Sequence, residues 1–132
     1  MDVIALVGPS GTGKSHRALL VAHKHQADAI IDDGILIKDG KIVGGHSAKK
    51  EKSRIMAVRR AIFVLPGHAE EVKAAIAESQ PHRILVLGTS ENMVHKMARR
   101  TAMMRLFSFF AKWPPTILPS LMRMPSSMMA SA

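Results

Sequence analysis

Residues 8–15 read Gly8-Pro9-Ser10-Gly11-Thr12-Gly13-Lys14-Ser15 and follow the apolar run Val3-Ile4-Ala5-Leu6-Val7. Such a run suits a strand covered on both faces. The glycines lack a Cβ, so the backbone there can take positive φ and approach a ligand closely. Successive N–H groups in such a loop point inward and form a nest for an anion. From Lys14 onward, Ala18, Val21 and Ala22 recur at helical spacing. The spacing predicts a helix that opens at the loop and aims its dipole at the same place. A strand, a glycine loop and a helix in this order commit the chain to a layered α/β fold.

The loop has the form G-x-x-x-x-G-K-[ST], whose lysine reaches the β- and γ-phosphates and whose hydroxyl ligates Mg²⁺. Over residues 1 to about 33 the chain resembles the P-loop nucleoside triphosphatase superfamily. The resemblance implies ATP or GTP as ligand and Mg²⁺ as cofactor. It places Gly8, Pro9, Ser10, Gly11, Thr12, Gly13, Lys14, Ser15 and His16 around the phosphates, with Ser15 on the metal. It leaves the reaction open.

At 132 residues the chain is short for a complete fold of that kind. It has no cysteine, which excludes disulfides and thiolate zinc sites. Asp2 stands where a signal peptide is basic, and the first apolar run stops at Gly8. No run approaches the ~18 apolar residues of a membrane span. A cytoplasmic protein without a membrane partner is the expectation; the oligomeric state is not legible.

Ala29-Ile30-Ile31 reads as a second strand ending in the carboxylates Asp32 and Asp33. Ile35–Ile37 and Ile42-Val43 flank Asp39-Gly40, a strong hairpin signal. Ser47 is the expected N-cap of a basic helix over roughly 48–62, with Ile55, Val58 and Ile62 facing inward. A helix is expected over 68–80, a buried strand over 83–88, and a helix over roughly 91–105 capped by Thr89 or Ser90. The resulting fold is a three-layer, mostly parallel sheet flanked by helices with an inserted hairpin. Ligands in such sheets bind at the carboxyl ends of the strands, where the loop, Asp32/Asp33 and Thr89/Ser90 all fall.

After residue 101 the pattern fails. Residues 1–91 hold 13 of the 19 basic and all 10 acidic side chains, whereas residues 92–132 hold six basic side chains and no acid. Eight of the ten methionines lie at or after Met93. The expected division is a nucleotide-binding domain over 1–101 and an irregular, basic, Met/Pro-rich tail over 102–132. Under that reading the sheet is incomplete. Two origins of the tail stay open: a disordered basic tail, or a divergent or out-of-frame segment, which the other two reading frames of the coding DNA would reveal.

Asp32 and Asp33 are the candidate catalytic acids beside Lys14, with Asp32 also a candidate Mg²⁺ ligand. The chain is similar here to small-molecule kinases of the superfamily, where an acid at the second strand's end lies near acceptor or metal. A weaker similarity to the AAA-type ATPases touches the loop and Thr89, but Ile84–Leu87 ends in Gly88-Thr89-Ser90 without an acid. Arg54, Arg59 and Arg60 are arginine-finger candidates. Residues 31–37, 47–50, 59–63 and 87–90 are also similar to small uncharacterised bacterial P-loop proteins, which imply no activity. Three functions follow: an Mg²⁺-dependent nucleoside triphosphatase, a kinase passing the γ-phosphoryl group to a small molecule, and a non-catalytic nucleic-acid binder using its basic tail.

Overall fold

The structure, a computed structural model, describes residues 1–9, 11, 13–45, 47, 53–63, 67–103 and 107–113. Six strands form one mixed sheet flanked by helices: β1 (Asp2–Val7), β2 (Ala29–Asp32), β3 (Ile35–Lys38), β4 (Lys41–Gly45), β5 (Arg83–Gly88) and β6 (Phe107–Lys112). The helices are α1 (Ala18–Lys24), α2 (Arg54–Ala61), α3 (His68–Ser79) and α4 (Glu91–Arg100). Strand order is β4-β3-β2-β5-β1-β6. β2, β5, β1 and β6 run parallel, while β3 and β4 add antiparallel at one edge.

Alternation along β1 builds two cores. Val3, Ala5 and Val7 face α3 and α4, where Val72, Ala75, Val94 and Met97 close a core with Phe63 and Met103. Ile4 and Leu6 face the other way and meet Ala18, Val21 and Ala22 of α1 together with Trp113. Burial on both faces explains why β1 and β5 read as unbroken apolar runs.

The edge meander turns on two Asp-Gly pairs. Asp39 and Gly40 take φ of 53° and 79°, and Asp33 and Gly34 take 55° and 87°. Positive φ at both central residues is the signature of the hairpin turn that matches strand twist. The Asp39-Gly40 turn is the hairpin the sequence predicts; Asp33-Gly34, at the end of β2, reads in the sequence as an acidic strand end.

Other expectations need correction. Residues 14–17 form tight turns rather than helix, with the Ala18 amide donating to the Ser15 carbonyl at 3.3 Å, and α1 starts at Ala18. The cap of α2 is Ser53, whose Oγ accepts from the Met56 amide at 3.1 Å, and not Ser47. Ile55 is 67% exposed instead of core-facing. The sheet also continues past residue 101: β6 pairs parallel with β1, Val3 opposite Phe107 and Val7 opposite Lys112, with a register shift between Val3 and Ile4. Residues 48–52, the Val58 side chain, Met104 and the tail from 114 onward lie outside the described residues, as do Ser10 and Thr12 of the loop.

Candidate functional site

The glycine loop leaves β1 between two neighbours, Gly88 and Trp113. The Gly8 amide donates to the Gly88 carbonyl at 3.1 Å, tying the loop to the end of β5. The Trp113 amide donates to the Val7 carbonyl at 2.7 Å, and a Cβ added to Gly8 would collide with the Trp113 carbonyl. Glycine is therefore required at position 8 by packing. Gly11 and Gly13 have φ of 77° and 85° with open space around them, so there it is backbone conformation that favours glycine.

Lys14 crosses this loop. Its side chain is buried, and Nζ donates to the Gly8 carbonyl at 2.9 Å. Burial pushes its pKa below the ordinary 10.5, and the negative charge of Asp32 works in the opposite direction. An ammonium held partly dehydrated interacts more strongly with an anion than a solvated one does.

A cleft of ≈ 360 Å³ opens over the loop. Gly11, Gly13, Lys14, Ser15 and His16 line one side of it. Asp32 and Asp33 line the other, with Gly88 and Thr89 from the end of β5. Seven of the expected site residues thus converge where the parallel strands end. Gly8 and Pro9 are not among the described lining residues; Gly8 connects to the cleft through Lys14, and Pro9 is exposed on the loop.

Asp33 and its turn are held by residues to which the sequence reading assigns no such part. Ser47 Oγ donates to Asp33 Oδ2 at 2.6 Å. His68 is 1% exposed, and its Nε2–H donates to the Gly34 carbonyl at 2.6 Å, fastening the Asp33-Gly34 turn to α3. Phe63 packs on the His68 ring with centroids 4.8 Å apart. At the end of β5, Met93 Sδ accepts from the Thr89 amide at 3.3 Å and from Thr89 Oγ1 at 3.2 Å. Ser90 Oγ caps α4 by accepting from the Met93 amide at 3.1 Å, one of the two caps expected. Of the three candidate fingers, Arg54 lines a neighbouring cavity; Arg59 and Arg60 line neither space among the described residues.

Among the described residues no group of three or more His, Cys, Asp or Glu converges to hold a metal, and no helix is long and apolar enough to cross a membrane. Ser15 and Asp32 nevertheless place a hydroxyl and a carboxylate in one cleft. Hard oxygen donors in small number suit Mg²⁺, which keeps several waters and shares the ligand's phosphates. Comparison with family models, with curated proteins and with solved structures returned no match.

Proposed function

We propose that this chain is an ATP- or GTP-binding P-loop protein that acts as an Mg²⁺-dependent nucleoside triphosphatase. The observation that carries the reading is the convergence of Gly11, Gly13, Lys14 and Ser15 with Asp32 and Asp33 in one cleft at the strand ends. The loop amides and Lys14 hold the phosphate chain, as nests and partly buried ammonium groups do. Ser15 and Asp32 would hold Mg²⁺, which would supply positive charge to neutralise the phosphates there. Asp33, fixed by Ser47, orients the attacking water.

Transfer to a small-molecule acceptor is the second reading. It is favoured by a further cavity that adjoins the cleft and shares Asp33 with it. The nucleic-acid reading has less support, because Lys96, Arg99 and Arg100, half of the six basic residues it rested on, belong to α4, and only Arg123 lies after residue 113.

Following γ-labelled ATP tests the reaction. Free labelled phosphate appearing with the wild type, and not with Lys14→Ala, supports the hydrolase. Label appearing in an organic ester only when metabolites are supplied supports the transferase. Intact ATP under both conditions removes the catalytic reading and leaves binding alone.

A further inference from the structure

We propose that the cavity beside the phosphate cleft is a second ligand site and that it takes a small hydroxy acid with an apolar body. The cavity measures ≈ 470 Å³ and shares Asp33, Ala61, Thr89 and Met93 with the cleft. The two spaces therefore adjoin across the same four side chains. The size falls in the usual range of small-molecule sites, which combine apolar walls with a few placed polar groups.

Its lining selects the ligand's chemistry. Ala57, Ala61, Ile62 and Met93 provide an apolar surface. Arg54 comes from the first turn of α2 and Lys96 from the middle of α4, so cations face the space from two separate helices. Asp33 is the one carboxylate among the described lining residues. Two cations against one carboxylate favour an anionic ligand, and the Arg54 fork matches a carboxylate in two-point geometry. Asp33 stands at the junction with the cleft, where it accepts a hydrogen bond from a ligand hydroxyl. The role of the occupant as second substrate rests on the phosphate-cleft reading; its binding does not.

Mandelate has the three required features, and its two truncated forms remove one each. Benzyl alcohol lacks the acid, and phenylacetate lacks the hydroxyl. Each is titrated into the full chain while amide shifts are followed. Mandelate should move the amides of Ala57, Ala61, Asn92 and Lys96, with both truncated probes weaker. Replacing Arg54→Ala and Lys96→Ala together should weaken mandelate by about tenfold or more. Both side chains are exposed, so the variant keeps its fold, which the unshifted remainder of the spectrum checks. A non-hydrolysable Mg²⁺–ATP analogue should change the mandelate Kd, and mandelate should change the analogue's Kd by the same factor. Benzyl alcohol binding as well as mandelate, or mandelate binding unchanged in the double variant, overturns the acid site. Phenylacetate binding as well as mandelate overturns the role of Asp33. Titrating the wild type with each ligand separates the two proposals. Mandelate bound and no nucleotide bound sinks the phosphate reading alone; nucleotide bound and mandelate not bound sinks this inference alone.

Discussion

The Lys14 ammonium donates to the Gly8 carbonyl at 2.9 Å, so the last residues of the glycine loop are pinned to its first. The same side chain is buried, and burial lowers its pKa while Asp32 partly restores it. Under the proposed function, structure and ligand binding would draw on one proton. Between the lowered folded value and the ordinary 10.5, the unfolded chain holds this proton more firmly than the folded one. Stability contributed by Lys14 therefore rises with pH across that window. Phosphate affinity moves the other way, because the anion needs the ammonium. Nucleotide titrations at stepped alkaline pH should show affinity falling below pH 10.5, while melting shows no matching loss of fold from this group.

Gly8→Ala and Gly11→Ala should fail differently. A methyl at position 8 collides with the Trp113 carbonyl and pushes β6 from β1. Overpacking of this kind costs about 1–3 kcal/mol. A methyl at position 11 meets nothing within 4 Å but must sit at φ 77°, which costs ~1 kcal/mol. Thermal melts should rank Gly8→Ala as the less stable variant. Trp113, the chain's single tryptophan and 9% exposed, should shift its emission to the red in Gly8→Ala and stay near wild type in Gly11→Ala.

Asp28 fastens the start of β5. Its Oδ1 accepts from the Arg83 amide at 3.0 Å and its Oδ2 from the His82 amide at 3.1 Å. Burial alone would raise its pKa, but these amides, with smaller help from Lys38, hold it below the ordinary 3.8. A depressed carboxylate stabilises the fold above its unfolded value and loses that contribution as pH falls through the folded one. Asp28→Asn should lower the melting temperature at neutral pH and flatten its dependence on pH below 3.8. Equal slopes in wild type and variant would contradict the assignment.

Under the proposed reading, Asp32 would work against bound phosphates unless a cation stood between them. Asp32→Asn should therefore strengthen nucleotide binding in the absence of Mg²⁺ and weaken the gain that Mg²⁺ brings. Calorimetry with and without metal reads both effects. An unchanged metal dependence would remove Asp32 from the metal site.

What could be read along the chain was what local chemistry decides. Val3–Val7 and Ile84–Leu87 are apolar enough to require burial on both faces. Asp39-Gly40 can hardly be anything but a hairpin turn, and Ser90 caps α4 by its own side chain. The loop residues were assembled by their spacing from Gly8 to Ser15. The features missed depend on distant partners. β6 is a strand because β1 offers an edge to Phe107–Lys112, and a six-residue run beside Met- and Pro-rich chain carries no periodic signal of its own. Ser47 resembles a helix cap in sequence, yet Asp33, fourteen residues away, claims its hydroxyl. The Asp33-Gly34 pair carried a readable turn signal, masked by the chemical interest of its carboxylate. His68 showed nothing local; its part depends on the Gly34 carbonyl brought to it by the turn.

The central claim is that Lys14 and its loop grip the phosphates of a nucleotide. The most direct measurement is a calorimetric titration of Mg²⁺–ATP and Mg²⁺–GTP into wild type and Lys14→Ala, with the fold of each checked by its amide spectrum. Saturable binding by the folded wild type of at least one nucleotide, lost or weakened at least about tenfold in the folded variant, is the predicted result. No binding by the wild type, or equal binding by both proteins, would contradict it.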